Sequence, residues 1–400
     1  MTTEVPTVSP ELRAATRGVY IAFIGAGAAG SSWLSRIPQV RDELDLTPAA
    51  LGVLLLMIAI GSLIALPLAG LIVHRLGAGR AVFFLSMLFA AGISIAAIGV
   101  MVGPLMVALG LVAAGFGTGT WDVAMNVEAA AVEQRLGRSV MSRFHAAFSV
   151  GTVAGALVGA GMNALEISVT IHLLVVMAIV ATVVPWGTRS FLPSTGQEQA
   201  GDDTARSPFA AWKEPRTLLI GLFVLTMAFT EGTGNDWLGV AAIDGYGASD
   251  TLGGLAYVLF VASMTVGRWF GPGVLDRHGR VLVLRVGAAC SLVGLAIVVF
   301  GPSLITAMVG TVLWGLGVAL GFPVGMSAAA DDERHAAGRV SVVATIGYVA
   351  FLAGPALVGL IGNHVGVLRA LTVTGGMLAV GLLLAGVTRP LVVEHSDPPS

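Results

Sequence analysis

The chain is short of charge and nearly without cysteine. Of its 400 residues only 11% are Asp, Glu, Lys or Arg, where soluble globular domains carry roughly 25%. That shortage excludes an ordinary water-soluble fold. The single cysteine, Cys290, lies in an apolar run, so no disulfide or cysteine-based metal framework can form within one chain. The seven histidines lack metal-ligand spacing. No Gly-x-Ser-x-Gly nucleophile motif occurs either. An enzyme is not expected, nor is a metal or a cofactor. With a net charge of −2 and no basic patch interleaved with aromatics, no nucleic-acid partner is implied. Residues 1–16 lack the short apolar region and small-residue cleavage site of a secretory signal, so the first apolar run is expected to be retained.

What the chain has is hydrophobic length. It is 56% hydrophobic, with a mean hydropathy of +0.89. About 20 apolar residues cross a hydrocarbon core, and twelve such stretches are readable. The first six are 17–38, 47–73, 80–102, 104–131, 141–163 and 166–187. The second six are 217–243, 250–274, 280–300, 302–328, 338–362 and 366–387. Backbone groups in lipid must be satisfied within a segment, so runs of this length read as helices. The 54 glycines suit close helix contacts. The expected fold is an all-α membrane protein of twelve transmembrane helices. An even count puts both termini on one side. Of the 21 Lys and Arg residues, all but Arg36, Arg41 and Arg369 then fall on that side, which the positive-inside rule makes cytoplasmic. The expected location is the plasma (cytoplasmic) membrane.

The two sets of six repeat one another. Gly115-Phe116-Gly117 recurs as Gly315-Leu316-Gly317, and Ala156-Leu157-Val158-Gly159 as Ala356-Leu357-Val358-Gly359. Gly137-Arg138 returns as Gly338-Arg339, and Gly30-x-x-Trp33-Leu34 as Gly234-x-x-Trp237-Leu238. All four pairs keep one order, at offsets near 200 residues. The expected organisation is a cytoplasmic tail 1–16, a six-helix bundle 17–187, a polar cytoplasmic linker 188–216, a second bundle 217–387 and a cytoplasmic tail 388–400.

The loops after the second and eighth runs read Gly70-x-x-x-His74-Arg75-x-Gly77, with Arg80 following, and Asp276-Arg277-His278-Gly279-Arg280. This pattern resembles the Gly-x-x-x-Asp-Arg-x-Gly-Arg loop of the major facilitator superfamily, with His74 in place of the first Asp and Pro272 in place of the second Gly. Asp122-Val-Ala-Met-Asn126 and Arg143-Phe144-His145-Ala-Ala-Phe148-Ser149-Val-Gly151 are similar to the fucose-permease-like branch. Ser31 to Pro38 and Glu231-Gly-Thr-Gly-Asn235-Asp236-Trp237 resemble its MosC-like subgroup. The resemblance runs from about residue 20 to 385. It implies two six-helix bundles with a solute site between them at the midplane. It also implies that His74, Arg75, Arg268, Asp276, Arg277 and Arg280 form a cytoplasmic gate. The carboxylate that the branch carries in its first span has no counterpart here.

Asp122 and Glu231 each lie inside an apolar run. A carboxylate at that depth costs about 2.5–3.5 kcal/mol on insertion scales and is placed where it can face a cavity, a partner or a proton. Asp122 with Asn126, and Glu231 with Asn235, are four apart and so share a helix face. Asp122 can carry a proton or can simply pair with a bundle arginine or His145. Glu128, six residues on, points elsewhere and suits a structural or gating salt bridge. A free histidine titrates near neutral pH, so His145 can relay a proton to Asp122 or serve as a helix-start histidine. Trp33 and Trp237 can stack on a sugar ring or pack against helices and lipid. Gly151, Gly155 and Gly159 form a small-residue face. Together these residues read as a secondary active transporter, acting as a monomer in the bilayer. It moves a small polar, sugar-like solute by alternating access with proton-coupled symport, the proton being expected on both Asp122 and Glu231. The alternative is a proton-antiport exporter of a metabolite or drug.

Overall fold

The computed structural model describes residues 9–46, 48–193 and 210–391. The ends of the expected tails (1–8 and 392–400) and the middle of the expected linker (194–209) lie outside them. The first half holds α1 (Pro10–Leu34), α2 (Ile37–Glu43), α3 (Pro48–Leu76), α4 (Ala78–Gly99), α5 (Pro104–Leu136), α6 (Met141–Ala164) and α7 (Val169–Thr188). The second holds α8 (Pro215–Tyr246), α9 (Asp250–His278), α10 (Arg280–Phe300), α11 (Leu304–Val318), α12 (Gly321–Ala329), α13 (Ala336–Val365), α14 (Val367–Ala370) and α15 (Thr372–Leu384). Ten spans have the length and apolarity to cross a membrane. The glycine- and alanine-rich α1 and the 30-residue α13 complete a set of twelve. No strand occurs among the described residues.

Sequence punctuation explains most boundaries. Ser9, Ser168, Ser249 and Ser303 each accept a backbone N–H three residues on and so cap α1, α7, α9 and α11. Gly77 and Gly279 occupy matching loops at φ 77° and 76°, a left-handed setting that a side chain would strain. The repeat is thus written in backbone conformation as well as in sequence. The same holds for packing. A Cβ on Gly115 would strike the backbone of Ile58 in α3, and one on Gly315 would meet Phe260 O in α9. The third small-residue contact, between α1 and α6, runs through Gly151, Gly155 and Gly159, where Cβ atoms would strike Ile24, Ala28 and Ser35.

Three expected runs are divided differently. The first span ends at Leu34, and Ile37–Glu43 forms a separate short helix opened by Pro38. The tenth span, expected as one run over 302–328, breaks at Ala319–Leu320 between α11 and α12. Pro323 is the cause: it has no N–H to give the carbonyl four residues back, which is Ala319. The twelfth span is divided at Leu371 between α14 and α15.

The face at which α1 begins and at which the described residues after α15 end is here termed the terminal face. The halves meet along α3 against α13 and α6 against α9, with α12 and α13 reaching α5. Near the terminal face Ser341 donates to Leu66 O (2.6 Å), Gln134 to Ala330 O (2.5 Å) and Arg143 to Trp269 O (3.2 Å). Ser327 Oγ donates to Glu133, and the Ser139 amide donates to Asp276 (2.9 Å). The molecule is closed at that face.

A candidate transport site between the halves

Asp122 lies in the body of α5, 14 residues from its terminal-face end. Asn126, fully buried one turn later, gives its amide N–H to Asp122 O (2.9 Å) and Asp122 Oδ1 (3.4 Å). Its Oδ1 is left to accept from His145 Nε2 at 3.1 Å, which places the imidazole proton on Nε2 in this arrangement. His145 is buried between Phe23 of its own half and Phe322 of the other, with ring centroids 5.1 and 5.5 Å away. From the second half Tyr348 offers its hydroxyl to the Asp122 carboxylate. The second carboxylate oxygen, Oδ2, is shielded and accepts no hydrogen bond among the described residues.

Glu231 is held quite differently. Arg268 Nη2 donates to it at 2.7 Å, and both side chains are nearly buried (5% and 12% exposed). The same guanidinium gives Nε to Ala319 O (3.2 Å) and Nη1 to Ser149 Oγ of the other half (3.3 Å). Ala319 is the carbonyl that Pro323 orphans, so Arg268 satisfies a backbone group that lipid could not. Ser149 Oγ in turn donates to His145 O (3.2 Å). A continuous hydrogen-bonded chain therefore links the two acids: Asp122, Asn126, His145, Ser149, Arg268 and Glu231.

Arg268, expected at a cytoplasmic gate, makes its contacts deeper in the bundle. The helix α9 extends to His278, which sets Arg268 ten residues inside it, and its long side chain reaches inward to Glu231. Asn235 is half-buried and makes no hydrogen bond to Glu231. Trp33 is buried at 2% exposure, whereas Trp237 is half-buried beside Gly359 of α13, so these repeat-equivalent indoles occupy different surroundings. Glu128 takes the backbone amide of Leu192 at 2.6 Å and so ties α5 to the segment after α7.

At the terminal face Arg280 donates to Asp331 (2.6 Å) and Ser327 (2.8 Å), and Arg216 joins it on Asp331 (2.8 Å). Ser327 hands this cluster on to Glu133 of the first half. Glu133 also accepts the Val140 and Met141 amides at 2.6 Å, which opens α6. Asp276 accepts the Ser139 amide beside it. His74, Arg75 and Arg277 join no ion pair among the described residues; the first is half-buried and the others exposed. Arg339 meets Glu214 (2.6 Å) and Asp332 (3.2 Å). Burial alone would raise the Glu214 carboxyl, but hydrogen bonds from Arg339 and Thr217 hold it below the usual range. For Asp332 the opposing groups are His335 and Arg339, again with a net lowering.

Sequence reasoning missed Tyr348, Ser149 and Glu133. Tyr348 carried a signal, being one of four tyrosines in the chain and flanked by apolar residues in the eleventh span.

This architecture matches known proteins along nearly its whole length. The Major Facilitator Superfamily profile matches residues 19–271 and 232–400. An uncharacterized MFS-type transporter of Yersinia pestis is 32% identical over 370 residues, covering 91% of this chain and 92% of its own. Membrane protein MosC of Rhizobium meliloti is 27% identical over 381 residues, with 94% and 90% covered. Among solved structures, the E. coli fucose:proton symporter FucP superposes with a TM-score of 0.80 at 13% identity, covering 94% of this chain and 98% of its own. The human organic anion transporter MFSD10 gives 0.75 at 16% identity, with 94% and 100% covered. The chain belongs to the Major Facilitator Superfamily. It is a multi-pass membrane protein and a secondary transporter of small molecules, not an enzyme.

Proposed function

We propose that the protein carries a small neutral polar solute, sugar-like in size and hydroxyl content, together with a proton, and that Asp122 is the proton carrier. The carrying observation is the unequal treatment of the two acids. Glu231 is already neutralised by Arg268, whereas Asp122 has, among the described residues, the neutral neighbours Asn126 and Tyr348 and keeps one shielded oxygen without a hydrogen bond.

Charge accounting narrows the cargo. The Glu231–Arg268 pair sums to zero, so the central groups are neutral when Asp122 holds a proton and carry one negative charge when it does not. An anionic solute would meet repulsion in one state and no free cation in the other. A neutral polyol meets donors and acceptors in both. The printed name of FucP, a fucose:proton symporter, agrees in kind with this reading. By the basic-residue asymmetry the terminal face is cytoplasmic, and the protein works as a monomer in the cytoplasmic membrane by rocking its halves about the central site.

The test is proton movement in proteoliposomes supplied with sugars or cyclitols. Solute addition should drive proton uptake into the vesicles, and Asp122→Asn should abolish it while leaving solute counterflow intact. An Asp122→Asn protein that still couples would remove Asp122 from the mechanism. Proton flux opposite to the solute would make the protein an antiporter.

A further inference from the structure

Trp237 is set apart by the sequence, yet it takes no part in the central hydrogen-bonded chain. It lines instead a cavity of about 590 Å3 at the face opposite the terminal one. The walls are the last turns of α8 and α13 together with α14, all from the second half. Its polar lining consists of Asp244, Asn363 and Arg369. Asp244 and Arg369 share the concavity but form no ion pair with each other or with any described residue. The Trp237 Nε1–H is shielded and has no hydrogen-bond partner among the described residues. Beneath the ring lies Gly359, where a Cβ would stand 3.3 Å from the indole carbons, so the ring rests on bare helix backbone.

These groups have one chemistry in common. An indole face accepts the apolar C–H face of a pyranose or cyclitol ring. A carboxylate, an amide and a guanidinium, all planar, can each take two neighbouring hydroxyls. Opposite unpaired charges in one concavity favour a ligand with many neutral donors and acceptors over one with a net charge. The volume lies within the roughly 300–1,000 Å3 of small-molecule sites. We infer that this cavity is an outer subsite for a neutral sugar or cyclitol, occupied from the face opposite the terminal one and separate from the Asp122 site. The ligand class rests on the sugar-like cargo proposed above; the location does not.

Val365 lines the same cavity and is 46% exposed, so it can report occupancy. In full-length protein carrying Cys290→Ser and Val365→Cys, a membrane-impermeant maleimide should label the new thiol. L-fucose, D-galactose or myo-inositol should slow that labelling several-fold. The protection should disappear with Trp237→Ala or Asp244→Asn and persist with Asp122→Asn. As a second readout, the sugar-dependent change in indole fluorescence should vanish in Trp237→Phe, which keeps an aromatic ring for packing. The subsite is overturned if none of the three compounds slows labelling, if protection survives Trp237→Ala, or if it vanishes with Asp122→Asn. Protection without proton-coupled uptake would keep the subsite and sink the coupling reading; coupled uptake without protection would do the reverse.

Discussion

Each half of this transporter carries, inside a span, an acid followed four residues later by an asparagine. In the first half the asparagine turns back to the acid, and Asp122 keeps an oxygen without a hydrogen bond among the described residues. In the second half the asparagine stands apart and Glu231 is claimed by Arg268. Duplication of a six-helix unit has preserved the helix ladder, the Gly77 and Gly279 loops and the Gly115 and Gly315 contacts. It has not preserved the chemistry. One half holds an acid bonded to neutral groups; the other holds an ion pair whose arginine also caps a broken helix.

The contrast can be broken most severely at Arg268. Arg268→Ala leaves Glu231 buried without its partner and orphans the Ala319 carbonyl, so a loss of about 3–5 kcal/mol is expected, read by thermal unfolding in detergent. Arg268→Ala combined with Glu231→Gln should recover part of that loss, whereas Asp122→Asn should leave unfolding nearly unchanged. A large destabilisation by Asp122→Asn would erase the distinction drawn between the two acids.

A smaller effect is expected at the break itself. Pro323→Ala returns an N–H to Ala319 O and should add about 1 kcal/mol of stability, the net worth of one hydrogen bond. The competing donor, Arg268 Nε, would be displaced and uptake slowed. Unchanged stability and unchanged uptake would show that the break does not depend on the proline.

Smallest is the response of the terminal face to acid. The folded carboxyls of Glu214 and Asp332 titrate below their ordinary values. Their stabilisation is therefore fully present above an ordinary carboxyl pKa of about 4 and is lost as pH falls through the lower folded values. Thermal stability should hold through pH 5 and fall below about 4. Arg339→Gln should flatten that fall.

Much of this fold could be read from residues 17–387. Long apolar runs and the offset repeats near 200 specify the spans because a bilayer leaves the backbone few options. The break in the tenth span was also written in the chain, as Pro323. What could not be read was which way long side chains turn. Arg268 is one of several arginines near a helix end, and only the extent of α9 and the reach of its guanidinium separate it from Arg277. The different surroundings of the repeat-equivalent Trp33 and Trp237 were not legible either, since matching register says nothing of which neighbour fills the space beside each ring. Tyr348 meets Asp122 across the junction of the halves, a contact no spacing rule encodes.

The ion pairs carry one further consequence. Among the described residues each lies within a single half: Arg216 and Arg280 on Asp331, Arg339 on Glu214 and Asp332, Arg268 on Glu231. Between the halves the described residues show packing and hydrogen bonds, from Ser341, Gln134, Ser327, Arg143, Arg268, Tyr348 and the Ser139 amide. Dissolved electrolyte weakens attraction between exposed opposite charges but has little hold on contacts of this kind. The balance between the two access states should accordingly be almost indifferent to ionic strength, so that turnover keeps its pace from dilute to brackish surroundings.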